Sequence, residues 1–316
     1  MTRTISMLFV LASMTAGLAA AADEAPPAPA AETKTKVAPT SKAPTSRRRV
    51  PPPKAPTAKA KGTPSTPAAS ASKAAPVKLA PPAELPVTQI VERNVAARGG
   101  LEAWRRVSSL TMSGELDAGG KKDTRLPFVM SLKRPQRSRL EIKLKDQSAV
   151  QVWDGAHGWK VRPFLNRNEV EPYTAAEARS AAAAAELDGP LVDFARKGTK
   201  VELAGTEVVE GRNTYKLRLT LKSGERRHLW IDATSFLEVK IDGEPRRMDG
   251  RVRSVAVFYR DFKKVGGLQI PHTMETVVEK VSGSHKLSVL AVKVNPPLDD
   301  GLFAKPRLGS GGLASR

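Results

Sequence analysis

The sequence predicts an α+β fold in which a long antiparallel meander carries helices across one face. About ten apolar segments of period two lie between Ser108 and Asn295, the alternation that a strand with one dry face requires. Tight-turn pairs such as Asp154-Gly155 and Ser223-Gly224 separate them, so consecutive strands pair antiparallel. The one long interruption, from Thr174 to Leu187, is rich in alanine and reads as helix.

What precedes the meander concerns location. Arg3, an apolar stretch from Ile5 to Leu18 and the run Ala19-Ala20-Ala21-Ala22 form the charged, apolar and small-residue zones of a secretory signal peptide over residues 1–22. The apolar stretch is shorter than the roughly 20 residues that span a bilayer. Cleavage and release into the periplasm is therefore the expectation, with an uncleaved anchor as the alternative. The chain has no cysteine, which leaves neither a disulfide framework nor an acylated cysteine.

Residues 23–85 shift to Ala, Pro, Lys, Thr and Ser around Arg47-Arg48-Arg49-Val50-Pro51-Pro52-Pro53. Too few large apolar side chains are present to offset the entropy of folding. This reads as a disordered tether, spanning about 190 Å as polyproline II or about 45 Å as a coil. Of the net charge of +20, +7 lies in the tether and +12 from Pro86 onward. A basic domain in the envelope favours anionic membrane or wall surfaces. Nucleic acid is not expected, because aromatic residues are 5% of the chain and no basic ribbon interleaves with stacking rings.

Residues 86–308 remain for one domain, with a disordered tail expected at 309–316. The domain opens with a helix: Ile90, Val91, Val95 and Leu101 recur at helical spacing, Pro86 suits the first turn, and Gly99-Gly100 stops it before a short turn through Trp104. Strand alternation is clearest in Leu140, Ile142 and Leu144 against Arg139, Glu141, Lys143 and Lys145. Val150-Gln151-Val152-Trp153 and Trp159-Lys160-Val161 form a hairpin. Thr174 caps the alanine helix with Glu177 in the capping-box position, Ala181 to Ala185 form it, and Asp188-Gly189-Pro190 ends it. A short apolar turn, Leu191 to Phe194, follows. Strands resume at Lys200 and continue through Tyr215/Leu217/Leu219/Leu221, Leu229/Ile231, Leu237/Val239/Ile241, Val255/Val257/Tyr259 and Leu290/Val292/Val294. Helices set across such a meander read as a lid on an open barrel.

Four strings carry a resemblance: Ala97-Arg98-Gly99-Gly100-Leu101-Glu102-Ala103-Trp104; Trp153-Asp154-Gly155 with Gly158-Trp159; Asp188-Gly189-Pro190-Leu191-Val192-Asp193; and Pro297-Leu298-Asp299-Asp300-Gly301-Leu302-Phe303. From about Val87 to Pro306 the chain resembles the outer membrane lipoprotein-sorting family, the relatives of LolA and LolB. The resemblance implies a half-barrel of about ten or eleven antiparallel strands, curled around a hydrophobic cavity that helices cover, taking acyl chains of lipoproteins or other envelope lipids. It also implies an arginine on the concave face that holds the lid, which no motif places in this sequence.

Dry-face residues of the central strands are the expected cavity lining: Met112, Phe128, Met130, Leu140, Ile142, Leu144, Val150, Val152, Leu217 and Leu219. The bland reading is ordinary core, since any sheet covered by helices needs such residues. Trp153, Trp159, Ala181, Ala183 and Leu187 are expected at the rim or lid, with a buried aromatic pair as the alternative for the tryptophans.

Catalytic signals are lacking. His157, His228, His272 and His285 have no paired spacing, and there is neither a Gly-x-Ser-x-Gly elbow nor a phosphate-binding loop. Asp299-Asp300 and Glu207 with Glu210 sit beside turn residues and read as solvated loop charge. The expectation is a monomeric periplasmic binding protein for acyl chains, not an enzyme, without metal or cofactor. The alternative is an envelope sensor or adaptor of the RseB type that binds a lipid or protein partner without transporting it. A hydrolase would need a nucleophile and base that the sequence does not display.

Overall fold

The computed structural model describes residues 82–119, 125–165, 167–309 and 312–313. The expected signal peptide, nearly all of the tether and most of the expected tail lie outside these residues.

Helix α1 spans Val87–Ala97 and buries Ile90, Val91 and Asn94. It closes with Gly100 N–H donating to the Val95 carbonyl at 2.9 Å. Gly99 lies at φ +114°, and a Cβ there would stand 2.6 Å from the Gly267 carbonyl oxygen, so glycine is what lets the helix end touch that distant turn. Helix α2, Leu101–Arg105, follows and buries Trp104.

The strands are β1 Ser109–Asp117, β2 Arg125–Lys133, β3 Arg137–Leu144, β4 Gln147–Trp153, β5 Gly158–Arg162 and β6 Arg167–Pro172; then, after helix α3 at Ala175–Ala184, β7 Lys200–Val209, β8 Arg212–Thr220, β9 Arg226–Asp232, β10 Glu238–Asp242, β11 Arg246–Met248, β12 Arg251–Arg253, β13 Val255–Val265, β14 Leu268–Val278 and β15 Ser284–Val294. Thirteen of them form one antiparallel sheet, in the order β6-β5-β4-β3-β2-β1-β15-β14-β13-β10-β9-β8-β7. β11 and β12 form a separate hairpin. The chain runs outward from β1 to the edge at β6, crosses to the opposite edge at β7 and returns strand by strand until β15 pairs with β1. The sheet is curled and open, a half-barrel, and the crossing segment contains α3.

The strand count exceeds the expected ten or eleven. Edge strands β6 and β7 leave most of their residues partly or fully exposed, so they carry little of the alternation on which a sequence count depends.

A second correction concerns Leu290, which was expected on the dry face with Val292 and Val294 but is 71% exposed. Ser113 pairs with Ala291 and Gly114 with Val289, so Leu290 is the extra residue of a β-bulge that reverses the parity of β15. Leu287 and Val289 are dry before it, and Val292 and Val294 after it. Gly114 permits the bulge, because a Cβ there would lie 1.9 Å from the Ser288 carbonyl oxygen.

The concave face packs as two main clusters. One joins β1, β2 and β3 to Trp104, Leu187, Leu268 and Leu287. The other joins Ile90 and Val91 of α1 to Leu217, Leu219, Leu229 and Ile231.

Candidate functional site

Between the two clusters the concave face encloses a cavity of about 670 Å³, within the roughly 300–1,000 Å³ of small-molecule sites. One wall comes from Leu110 and Met112 of β1 with Met130 and Leu132 of β2. The other comes from Leu219, Leu229, Ile241, Val257 and Tyr259, and Ile270, Met274 and Leu287 complete the floor. Ala182, Ala183, Ala184 and Leu187 cover the cavity, and Trp104 lines it from α2.

Helix α3 is built from its sequence upward. Thr174 Oγ1 accepts from Glu177 N–H at 3.3 Å while Glu177 Oε2 accepts from Thr174 N–H at 2.7 Å, a complete capping box. Glu177 also pairs with buried Lys160 of β5, so the same carboxylate caps the helix and fastens it to the sheet. Ala181 and Ala185 pack on Trp153, which sets the next residues, Ala182 to Ala184, over the cavity.

Beyond α3 the chain lands on Asp188. Its Oδ2 is 2.7 Å from Arg134 Nη2 and its Oδ1 2.6 Å from Lys197 Nζ, and its carbonyl accepts from Arg98 Nη1 at 2.6 Å. Arg134 donates in turn to the carbonyls of Val107 and Trp104. Arg105 forks onto Asp193, at 3.0 and 2.7 Å, and this fork, outweighing the carboxyl's slight burial, holds Asp193 below the usual carboxylate range. Glu186, on the cavity side of this landing, is pushed the other way: its burial outweighs the nearby Lys197 charge and raises its carboxyl.

Of the residues expected to line a ligand cavity, Met112, Met130 and Leu219 border the one described here. Phe128, Leu140 and Ile142 are packed in the concave core, with Leu144 half-buried against it. Leu217, two residues before Leu219, is sealed beneath α1. Val150 and Val152 are corrected: they pack against Phe303, Leu298 and Leu302 on the face opposite Trp153, because side chains alternate and Trp153 faces α3. Trp159 pairs with Val152 and lies on that same outer face. Trp153 is 6% exposed, packed beneath α3 rather than at a rim. Ala183 and Leu187 border the cavity, and Ala181 is buried against Trp153.

Sequence reasoning missed Arg98, Glu238 and Tyr259, which lie on the cavity wall. Arg98 was visible only as part of a motif string.

The four histidines stay apart in their contacts. His157 is exposed, His228 Nδ1 lies 2.9 Å from Asp242 Oδ2, and His272 Nδ1 bonds the Ile270 carbonyl. His285 borders the cavity, held below its ordinary value by burial and then by the charge of Arg246. Among the described residues no group of three or more His, Asp or Glu is placed to hold a metal ion.

No family model and no curated protein matches the sequence. Solved structures do. A LolA superfamily protein from Nitrosomonas europaea is 15% identical, with 70% of this chain and 99% of that one covered and a TM-score of 0.47. The likeness is one of fold. A putative outer membrane lipoprotein-sorting protein domain from Vibrio parahaemolyticus is 10% identical over 69% of this chain and 95% of that one, TM-score 0.46. A DUF1329 family protein from Desulfovibrio piger is 15% identical over 70% and 98%, TM-score 0.49. These likenesses concern the fold alone.

Proposed function

We propose that the protein is an exported, monomeric periplasmic carrier that shields acyl chains of lipoproteins or other envelope lipids in this cavity, for transport toward the outer membrane. The observation that carries the reading is an apolar wall contributed by both wings of the sheet and covered by Ala182, Ala183 and Ala184. Alanine side chains leave the space beneath them open, and burial of each methylene contributes about 0.8 kcal/mol. A lid with so little side-chain area is held by few apolar contacts, as entry and exit of a chain require. The basic tether would hold the carrier near an anionic membrane or wall surface.

The Asp188 landing supports a second reading, a sensor or adaptor that retains its ligand, since a lid tied by three cationic side chains opens less readily. Organic extracts of the full chain, purified from its own envelope without detergent, test the first claim by mass spectrometry beside native mass spectrometry of the intact protein. A stoichiometric acylated species that dissociates on unfolding is expected. An empty protein that also refuses an apolar fluorescent probe would overturn both readings. Release of the bound species to acceptor vesicles identifies a carrier, and retention a sensor.

A further inference from the structure

The short hairpin between β10 and β13 sets Arg246, Arg247, Arg251 and Arg253 against Asp249 alone. Its strands β11 and β12 pair with each other, outside the thirteen-stranded sheet, around a turn in which Asp249 and Gly250 both take positive φ, 49° and 70°. Two such residues suit the tight turn of a two-residue hairpin loop. Directly opposed residues share a face, so the register Arg246↔Arg253, Arg247↔Val252 and Met248↔Arg251 divides the hairpin. On one face Arg246 is buried and Met248 packs on Val255, Val257 and Val278, which seats the hairpin on the body. On the other, exposed Arg247 lies opposite Val252, which is 66% exposed. Arg247 and Arg251, both exposed, have no ion-pair partner among the described residues, and Asp249 reaches Arg253 at 3.9 Å.

A valine held in water among unpaired arginines adds nothing to the stability of the fold. The same arrangement fits the surface of an anionic bilayer, where phosphates receive the guanidinium groups and the apolar side chain leaves water. Its position gives the contact a direction. The hairpin lies between Asp242, the last residue of β10, and Val255, the first of β13, and Asp242, Gly243 and Val257 border the cavity. We propose that the β11–β12 hairpin docks the folded domain on an anionic phospholipid surface, with Arg247 and Arg251 on lipid phosphates and Val252 at the acyl boundary, and brings the β10–β13 rim of the cavity to the membrane. This contact is distinct from attachment through the basic tether, because it belongs to the fold and has one orientation. It does not depend on what the cavity holds.

The chain has no cysteine, so Val252→Cys gives the full chain a single site for an environment-sensitive fluorophore. Val208→Cys is the control: Val208 is 56% exposed on β7, and its partner Asn213 begins β8 beside the end of β9, at the end of these strands away from the hairpin. The vesicles are equal parts phosphatidylcholine and phosphatidylglycerol, with a doxyl quencher on the acyl chains. The Val252 label is expected to shift to the blue and be quenched, the Val208 label to do neither, and phosphatidylcholine alone to affect neither. Arg247→Ser combined with Arg251→Ser should raise the lipid concentration for half-quenching about tenfold or more, since each arginine at such a surface contributes about fivefold. Vesicle binding that leaves the Val252 label in water would assign attachment to the tether and overturn the hairpin contact. Equal quenching of both labels would overturn the orientation, and an unchanged half-quenching concentration the role of the two arginines. No response on any vesicle, as expected of a hairpin that meets an acidic protein, would overturn the bilayer as its partner. The labels report in the native arginine background even where the double variant folds poorly.

Discussion

Asp188 joins more elements than any motif in its neighbourhood suggests. Its carboxylate is 4% exposed and receives Arg134 from the β2–β3 turn and Lys197 from the segment before β7. Asp188→Asn keeps the shape and removes the charge from both. The expected loss is about 2–3 kcal/mol by chemical denaturation, below the ~3–5 kcal/mol of a fully buried pair because Arg134 is 37% exposed. A loss under about 0.5 kcal/mol would mean that the landing is solvated. Glu186 gives the opposite sign. Its carboxyl is raised, chiefly by burial, so between the unfolded value of ~4.3 and that raised value the folded chain holds more protons than the unfolded one. Its contribution is therefore fully present below the unfolded value and is lost as pH rises through the folded value. Glu186→Gln is expected to be more stable than the native chain at pH ~7, with the difference vanishing toward pH ~4; a variant less stable at neutral pH would show that the Lys197 pair outweighs burial. Neither role was legible in the sequence. Asp188-Gly189-Pro190 announces a helix stop, but Arg98, Arg134 and Lys197 reach it from three separate segments, and only the fold brings them together.

The alanine helix, by contrast, was legible, cap included, because capping and propensity are local. Its two faces separate the candidate function from stability. Ala183 borders open space, so Ala183→Arg is expected to lower apolar-probe affinity about tenfold while changing stability by less than about 1 kcal/mol. Ala181, 2% exposed beside Trp153, has no room, and Ala181→Arg should cost about 3 kcal/mol or more through overpacking and burial of charge. If the two variants behave alike in probe titration and thermal melting, α3 does not divide the two roles in this way. Thr174→Ala should cost about 1 kcal/mol by removing half of the capping box. Strand β4 shows why faces were harder to assign. Ala149, Val150, Val152 and Trp153 are all buried, so both sides of the strand are dry and alternation cannot say which is concave; the C-terminal segment through Phe303, covering the outer side, decides it.

At the scale of the molecule, the antiparallel meander could be read from turn pairs and period-two segments, but the joining of its two halves could not. Pairing of β1 with β15 joins the first strand to the last of the main sheet, and its bulge at Leu290 reverses the parity a sequence reading extrapolates. The edges β6 and β7 are connected through the segment that carries α3 and the Asp188 landing, so the covering of the concave face is built into the path of the chain. A ligand beneath α3 would touch both wings and the crossing together. At a hundredfold excess over its dissociation constant it should stabilise the folded protein by ~2.7 kcal/mol. Hydrogen-exchange protection should rise over residues 175–199 and in the walls on both wings, whereas the outer-face contact of β4 with Phe303 should not respond. Protection confined to β1 and β2, with residues 175–199 unchanged, would mean that the ligand enters without engaging the crossing. The alanine helix would then be a fixed part of the wall, and the route of entry would have to lie elsewhere on the concave face.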